Sequence, residues 1–271
     1  MTAPTPSVPP GAGTPAVVVY VQRERARAMI RAAFPRRRIR VVVTRSFEDF
    51  ELAFKDNLVD AAVVDVGGAH DDTWRVAACA ADYPSTPFFG LAPLRAAEGP
   101  SIAQCARYEF TDVLVDGVDD VATRDLVLQS SFSTRFARAL EQPPSALGLK
   151  MPMQQAAWRW VISHSGKPVR TSVLAEQLDV TREHLSRSFS AGGAPNLKRI
   201  IDLVRIVAAA ELAKNPGYDL RDVAHILGFA SSSHLSSTAM RVVGTKPTSL
   251  TRLRTVDLVD RFARGHGRSR G

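Results

Sequence analysis

Five short apolar runs, four of them rich in β-branched residues, recur over the first half of the chain and most constrain its fold. The runs are AVVVYV (16–21), IRVVVT (39–44), DAAVVDV (60–66), PFFGLA (87–92) and TDVLV (111–115). Segments with amphipathic helical spacing separate them, and a last helix is predicted over 121–140. Strands that are apolar on both faces and alternate with helices indicate a parallel sheet covered on both sides. We predict a doubly wound, flavodoxin-like α/β domain over residues 16–141.

The third run ends in an acidic residue, Asp65, within the sequence VDAAVVDVGG. Its position resembles that of the phospho-acceptor in response-regulator receiver domains. Receivers also have an acidic pair after the first strand, a Thr or Ser ending the fourth strand and a Lys ending the fifth. Here those places read Tyr20-Val21-Gln22, Leu91-Ala92 and Val115-Asp116. Without carboxylates for Mg²⁺ and a cation for the incoming charge, phosphoryl transfer loses its electrostatic stabilisation. We therefore predict a receiver-like domain that is not phosphorylated, with Asp65 as a doubtful phospho-acceptor that closes a strand.

Catalytic and cofactor-binding patterns are missing from the sequence. A dinucleotide fingerprint G-x-G-x-x-G has to follow the first strand, but GAG at 11–13 precedes it. Cys79 and Cys105 lie in apolar surroundings without the Cys/His spacing of metal ligands. The sequence also shows no activated nucleophile or paired carboxylates. We predict no cofactor, no metal site and no enzymatic activity.

Stretches rich in Pro and Gly divide the chain. MTAPTPSVPPGAGTP, residues 1–15, is predicted to be a disordered leader, because it has neither the basic nor the apolar region of a signal peptide. No apolar run reaches transmembrane length, so we expect a cytoplasmic protein with no membrane partner. Residues 142–152 contain three prolines and a glycine and show no periodicity. They are predicted to be an interdomain linker.

The charge of the chain is concentrated in its second half. Residues 1–149 carry 16 Lys and Arg against 18 Asp and Glu, whereas residues 150–271 carry 19 against 9. The net charge of +8 thus arises entirely from the second half. A basic domain of this kind is typical of proteins that contact the phosphates of nucleic acid, although a merely soluble basic surface is the simpler alternative.

A helix, a Gly turn and a second helix are predicted over residues 218–250, YDLRDVAHILGFASSSHLSSTAMRVVGTKPTSL. Gly228 can take the positive φ that ends a helix, and the serines that follow can cap the next one. The outer face of the second helix would carry Ser233, His234, Ser236 and Ser237. This arrangement predicts a helix-turn-helix unit, whose second helix can enter a DNA major groove.

An earlier segment, TSVLAEQLDVTREHLSRSF, repeats the same pattern. Thr181 is predicted to cap its second helix, and the face left outside is Arg182, Glu183, Ser186 and Arg187. A long helix over 197–215 separates the two units and would measure about 28 Å. Because adjacent major-groove faces are about 34 Å apart, one chain could place two recognition helices about a turn of DNA apart.

The stretch from about 155 to 252 resembles the AraC/XylS family of bacterial transcription regulators. The matching segments are LAEQLDVTREHLSRSF, RIVAAAELA and DLRDVAHILGFASSSHLSSTAMRVVGTKP. The resemblance implies an all-α domain with two helix-turn-helix units, here residues 153–252. It also implies that Glu183, Ser186 and Arg187 lie where the first recognition helix contacts DNA. Ser233, His234 and Ser237 fall at the corresponding places in the second.

The second unit departs from the family pattern. The family has a phenylalanine, an arginine two residues later and then another aromatic, where this chain has Leu235, Ser237 and Ala239. Loss of the arginine removes a charge-assisted DNA contact, and loss of the aromatic removes a core side chain. We therefore expect the first unit, with Arg187 and its neighbours, to read bases and the second mainly to contact the backbone.

The sequence as a whole predicts a bacterial transcription regulator that binds double-stranded DNA. RNA polymerase and a second copy of the chain, bound through the first domain, are further candidate partners. Residues 253–271 are predicted to be a basic tail, in which Arg261, Arg264, Arg268 and Arg270 either contact phosphates or remain solvated. Two alternatives stay open: an architectural or weakly specific DNA-binding protein, and a ligand-sensing or enzymatic α/β domain fused to a DNA-binding domain.

Overall fold

The computed structural model describes residues 16–35 and 39–267, and its first domain is built on a five-stranded parallel sheet. In chain order the strands are β1 (Ala16–Tyr20), β2 (Arg40–Thr44), β3 (Val59–Asp65), β4 (Phe88–Pro93) and β5 (Asp112–Asp116). Their spatial order, β2-β1-β3-β4-β5, is that of flavodoxin-like and receiver domains. The predicted doubly wound fold is therefore confirmed. The predicted leader, the arginines at 36–38 and the arginines at 268 and 270 lie outside the described residues.

Helices cover both faces of this sheet. They are α1 (Glu24–Ala33), α2 (Phe47–Asp56), α3 (Asp71–Ala78), α4 (Gly99–Arg107), α5 (Thr123–Ser130) and α6 (Phe132–Ala139). Alternate residues of each strand point to opposite faces, so Val17 and Val19 join one hydrophobic cluster and Val18 and Tyr20 another. The second cluster continues into the helical domain. The two domains therefore share one hydrophobic core on that side of the sheet.

The predicted helix over 121–140 is two helices, α5 and α6, which meet at Ser131. The Ser131 hydroxyl donates a hydrogen bond to the Leu128 carbonyl at 2.8 Å and accepts one from the backbone N–H of Thr134 at 3.3 Å. A serine that caps a new helix in this way competes with continuation of the old one. The single-helix prediction was wrong because apolar spacing does not reveal such a break.

The segment predicted as a linker is packed against the helical domain. A short 3-10 turn, Ser145–Leu147, lies within it, and Leu147 and Leu149 are buried. The indole N–H of Trp158 donates a 2.7 Å hydrogen bond to the carbonyl of Leu140, just before this segment. Residues 142–152 therefore connect the domains without separating them.

The second domain is helical, as predicted. Its helices are α7 (Pro152–Ile162), α8 (Thr171–Gln177), α9 (Arg182–Ser190), α10 (Leu197–Leu212), α11 (Leu220–Ile226), α12 (Ser232–Val243) and α13 (Thr255–Gly267). Helix α10 is central, and twelve of its sixteen residues are buried. At 1.5 Å per residue it measures about 24 Å rather than 28 Å. It ends earlier than predicted because the Asn215 side chain donates a 2.7 Å hydrogen bond to the Leu212 carbonyl and Pro216 follows.

Helix α13 occupies most of the segment predicted as a basic tail. Leu258, Val259 and Phe262 are buried and belong to the shared core. The Arg199 guanidinium lies over the Phe262 ring, 5.0 Å from its centroid. Residues 255–267 thus form a structural helix that packs on α10 and α12.

The first domain contacts the start of α11 and the segment that precedes it. Tyr83 lies between the rings of Phe54 and Tyr218, at centroid distances of 4.2 and 4.8 Å. The Gly217 N–H donates to the Asp82 carbonyl at 3.0 Å, and a side chain at this position would meet the Tyr83 ring at 2.5 Å. Close approach of the two backbones therefore requires glycine there.

Candidate nucleic-acid interface

Helices α8 and α9 form the first helix pair, joined by a tight turn. The Val180 N–H donates to the Ala175 carbonyl at 3.0 Å, and Asp179 adopts a left-handed φ of 52°. This is the hydrogen-bond pattern that closes many helix C-termini. The Thr181 hydroxyl then accepts the N–H of His184 at 3.1 Å and starts α9, which is the N-cap that the sequence predicts.

Helix α9 buries one face and exposes the other. Leu185 and Phe189 are fully buried against the rest of the domain. The four residues predicted to face outward are all exposed: Arg182, Glu183, Ser186 and Arg187. The exposed face is polar along its length, as a helix that enters a DNA groove requires.

The charged side chains on α9 are free of partners within the described residues. Neither Arg182, Glu183 nor Arg187 forms a side-chain hydrogen bond or an ion pair there. Arg182 also lines a basic surface cleft together with Arg170 and Lys198. Guanidinium groups that have no intramolecular partner can bind guanine edges or phosphates without first breaking an ion pair.

Helices α11 and α12 form the second helix pair, and their turn matches the first. The Phe229 N–H donates to the Ala224 carbonyl at 2.8 Å, with Gly228 at a φ of 63°. The Ser231 hydroxyl accepts the N–H of His234 at 3.1 Å and starts α12. The two pairs therefore share the same turn closure and the same kind of cap, with one extra residue, Ala230, between turn and cap in the second pair.

The outer face of α12 differs from that of α9. Ser233, His234 and Ser237 are exposed, as predicted, but Ser236 is half-buried. The Ser237 hydroxyl donates to the His234 carbonyl at 3.0 Å, and that of Ser236 donates to the Ser232 carbonyl at 2.8 Å. These hydroxyl protons are used inside the helix, so Ser236 and Ser237 present mainly acceptor oxygens.

Two arginines that sequence reasoning missed hold the second pair to α10. Arg241 of α12 forms an ion pair with Asp202 at 2.9 Å. Arg205 donates to the carbonyls of Leu227 and Gly228 at 3.1 and 3.2 Å, and burial lowers the pKa of its guanidinium. A cation at the C-terminal end of α11 is favourable, because the carbonyls there carry partial negative charge.

Arg205 also lies over an aromatic ring in the second turn. Its guanidinium carbon is 3.9 Å from the centroid of the Phe229 ring, within the range of cation–π attraction. The sequence signal for this contact is weak, since an arginine in the middle of a long helix is usually solvated.

Aromatic and thiol side chains in the second and first domains are structural. Trp158 is buried, and the Trp160 ring packs at a tilt against that of His164 at a centroid distance of 4.0 Å. Both cysteines are buried and free. Burial raises the pKa of the Cys79 thiol to about 12 and that of Cys105 to about 11, so both remain protonated at neutral pH.

The carboxyl edge of the sheet, where receivers carry their phospho-acceptor, holds an internal ion pair. Asp65 is buried and accepts two guanidinium hydrogen bonds from Arg23, at 2.6 and 2.8 Å. It also accepts the backbone N–H of Arg23 at 3.1 Å and that of Gly67 at 3.3 Å. The Asp65 carboxylate therefore has four hydrogen bonds from its own chain.

Asp116, where receivers carry a lysine, belongs to the same network. It accepts from Arg23 at 3.2 Å and from Arg25 at 2.9 Å, and its side chain is almost fully buried. Arg23 thus bridges two buried carboxylates at this edge. The segment VQRERAR after β1 contains both arginines, and this was the available sequence signal.

Within the described ranges, no group of three or more His, Cys, Asp or Glu residues is arranged to hold a metal ion. No helix in those ranges combines the length and apolarity needed to cross a bilayer.

Comparison with known proteins found a family match within the helical domain and similar solved structures. Residues 174–252 match the family model HTH_18, a helix-turn-helix domain. No curated protein matches the chain. Full-length FixJ from B. japonicum is a similar solved structure, with 12% identity over 83% of this chain and 96% of that chain and a TM-score of 0.38. A response regulator from Burkholderia pseudomallei has 16% identity over 64% and 97% of the two chains, with a TM-score of 0.36.

At TM-scores below 0.5 these two structures carry no weight on how the domains act. The family match, in contrast, coincides with observed elements: it begins within α8 and ends with the 3-10 turn Pro247–Arg252, so it contains both helix pairs and α10. Residues 174–252 therefore match a helix-turn-helix domain, which supports a DNA-binding regulator whose first domain has the strand order of receiver domains.

Proposed function

We propose that the protein is a sequence-specific transcription regulator that reads two successive major-groove segments with its two helix pairs. The observation that carries this proposal is that the two pairs, on either side of α10, have the same turn closure and the same kind of cap. In each pair the second helix starts at a hydroxyl cap after a turn closed in the same way, and its polar face points outward. Helix α10 alone measures about 24 Å, less than the roughly 34 Å between successive major-groove faces, so we expect the DNA to bend when both helices bind.

The two pairs have unequal roles in this proposal. Arg187 contacts bases from α9, with Arg182, Glu183 and Ser186 beside it, because these arginines have no intramolecular partner in the described residues. A bidentate arginine–guanine contact discriminates bases by about 1–3 kcal/mol. Ser233 and His234 of α12 contact the phosphate backbone, which positions the protein without reading sequence. Ser237 joins them only when its hydroxyl turns away from the His234 carbonyl and donates to a phosphate oxygen.

The receiver-like domain acts without phosphorylation in this proposal. Arg23 occupies the Asp65 carboxylate with two short hydrogen bonds, and the residues around it supply neither an acidic pair for Mg²⁺ nor a free lysine. The domain instead acts through its contacts with the segment before α11, through a homodimer or through RNA polymerase. The DNA-binding role would place the protein in the cytoplasm.

DNA selection with the full chain tests the proposal. Random-sequence duplexes bound by the protein are enriched and sequenced, and the most enriched site is footprinted with hydroxyl radicals. We expect two protected segments about one helical turn apart, with stronger base preference in one of them. A single protected segment would contradict the proposal that both helix pairs bind DNA. Equal affinity for selected and random duplexes at physiological salt would favour the architectural alternative.

Incubation with acetyl phosphate and Mg²⁺, followed by intact mass measurement, tests the state of Asp65. We expect no adduct of about 80 Da, the mass of a phosphoryl group. An adduct that disappears in Asp65→Asn would show that the domain is phosphorylated. Arg23→Ala is a useful second variant, since it frees the carboxylate without supplying the missing metal ligands.

A further inference from the structure

A cavity of about 440 Å³ lies between the two domains, away from α9 and α12. Its walls come from α6 and residues 84–85 of the first domain and from α10 of the second. Cavities of this size that are mostly apolar and lie at domain interfaces are typical of small-molecule sites.

The interior of the cavity is apolar. Phe132, Phe136 and Leu140 line it from the first domain, and Val207 lines it from α10. The rings of Phe132 and Phe136 stack at a centroid distance of 5.8 Å and form one wall. These side chains are almost fully buried, so a hydrocarbon group placed between them would be removed from water.

One end of the cavity carries a cation that lacks an acidic partner. Arg135 donates a hydrogen bond to the Ser85 carbonyl, and within the described residues it has no carboxylate within 4 Å. Burial lowers the pKa of its guanidinium. The other cation on the lining, Lys214, is already paired with Glu211 at 2.7 Å. Arg135 nevertheless remains exposed at the mouth of the cavity, so water balances its charge until an anion displaces that water.

Ser85 adds an unused polar group at the same end. Its hydroxyl is buried and forms no hydrogen bond within the described part of the chain. A buried hydroxyl without a partner costs free energy. Arg135 is hydrogen-bonded to the backbone carbonyl of the same residue, so an anion on Arg135 would lie near this hydroxyl, which has to rotate toward the anion to donate to it.

We propose that this interdomain cavity binds a small apolar monocarboxylate, with its carboxylate on Arg135 and its hydrocarbon part between Phe132, Phe136 and Val207. Arginine and carboxylate match in charge and in planar geometry. The apolar walls select against strongly polar or multiply charged ligands, because those would leave groups buried without partners. Both an aromatic acid and a medium-chain fatty acid fit this chemistry.

Occupancy of the cavity would connect the two domains more firmly. A ligand there contacts α6 on one side and α10 on the other, and α10 carries both helix pairs. We therefore expect ligand binding to change affinity for DNA. This second consequence rests on the proposed function, whereas ligand binding itself is measured without DNA and stands or falls separately.

Calorimetry and thermal unfolding of the full chain test the binding. The probes are benzoate and octanoate, with benzyl alcohol and 1-octanol as uncharged counterparts of the same size. We expect at least one carboxylate to bind and to raise Tm, since a ligand that binds only the folded state stabilises it. Its alcohol counterpart should bind at least tenfold more weakly.

Three variants make the test specific. Arg135→Met keeps the side-chain stem but removes the charge, and it should weaken carboxylate binding at least tenfold while leaving alcohol binding unchanged. Arg138→Met removes a neighbouring arginine that does not line the cavity, and it should change neither. Ala139→Leu narrows the cavity and should weaken binding of both probe types. Absence of binding by both carboxylates at millimolar concentration, or equal binding to wild type and Arg135→Met, would overturn the proposal.

Discussion

The two helix pairs share one frame but present different surfaces. Each turn is closed by an N–H to carbonyl bond five residues back, at 3.0 Å in the first pair and 2.8 Å in the second. Each second helix begins at a hydroxyl cap of 3.1 Å. On the outside, α9 carries arginines without partners, whereas on α12 the hydroxyls of Ser236 and Ser237 are bonded within the helix and Arg241 is bonded to α10.

This difference shows that the backbone arrangement of a helix pair, here called its frame, and the side chains on its outer face are set independently. The frame depends on a turn residue that tolerates positive φ, a capping hydroxyl and buried residues on the inner face. The surface depends only on side chains that the frame leaves free. A helix pair can therefore keep its fold while its contribution to DNA recognition changes.

The largest expected effect is on the free energy of unfolding, and it comes from side chains on the inner faces of α9 and α12. Phe189 and Ala239 occupy equivalent positions, eight residues after their caps, and both are fully buried. Phe189→Ala should lower the free energy of unfolding by about 3–5 kcal/mol, because it leaves a cavity. Urea denaturation of the full chain, followed by circular dichroism, measures this.

The reverse substitution in the second pair is its counterpart. Ala239→Phe should also destabilise, by about 1–3 kcal/mol, because it forces extra volume into a packed core. A stabilising Ala239→Phe would show that the second pair retains room for the aromatic side chain and that the two cores are more alike than the structure indicates.

The next largest effect should distinguish the two outer faces in DNA binding. Arg187→Ala should weaken binding to the selected site by about 1–3 kcal/mol, or about 5- to 150-fold, and relax base preference there. Ser237→Ala should change affinity by less than about 0.5 kcal/mol, because the Ser237 hydroxyl is already bonded to the His234 carbonyl within the helix. Fluorescence anisotropy with selected and random duplexes measures both.

Arg138→Ala in α6 is a matched control, since it removes the same charge far from the helix pairs. If Arg187→Ala weakens binding equally on selected and random duplexes, Arg187 contacts only phosphate. If Ser237→Ala costs as much as Arg187→Ala, the proposed division of roles is wrong.

A smaller effect is expected at the two turns. Gly228→Ala should cost about 1–2 kcal/mol, because a residue with a Cβ is strained at positive φ, and the added Cβ would meet Pro168 at 2.8 Å. Asp179→Gly should change stability by less than about 0.5 kcal/mol, since relief of strain and the greater unfolded-state freedom of glycine offset each other. Thermal unfolding compares the two. A neutral Gly228→Ala would mean that the turn can shift.

The smallest expected effect concerns the ion pair that holds α12. Arg241→Ala should lower stability by about 0.2–1 kcal/mol, because the arginine is half exposed and solvent screens the pair. DNA affinity should hardly change while Arg241 remains on Asp202. A loss of affinity as large as that of Arg187→Ala, with Lys246→Ala as a control, would show that Arg241 leaves Asp202 to contact phosphate.

Much of the fold followed from local sequence patterns. The five apolar runs predict the first and last residues of the strands to within two positions. They do so because buried parallel strands require apolar residues on both faces. Thr181 and the serines after Phe229 predict the starts of α9 and α12, because capping depends only on residues close in sequence. The exposed faces of the two helices follow from the same spacing.

Predictions of where helices break and of which segments are buried by distant contacts were less successful. The break at Ser131 and the early end of α10 at Asn215 are made by side chains that favour a local alternative to the helix. Packing of residues 142–152 and of α13 depends on surfaces supplied by other helices. The basic segment contains a short helical pattern with Leu258, Val259 and Phe262, but neither it nor the Pro-rich segment shows in sequence which surface buries it.

The order of the two domains, the strands of the sheet and the two helix pairs are all predictable from local sequence, because they follow from periodicity, turns and caps within short stretches of chain. Packing of the elements is what pairs Arg23 with Asp65, holds the second helix pair to α10 through Arg205 and Arg241, and gives the domains a shared core with a cavity beside it. These contacts join residues that are distant in sequence, in some cases more than a hundred positions apart. Their formation depends on how the elements pack.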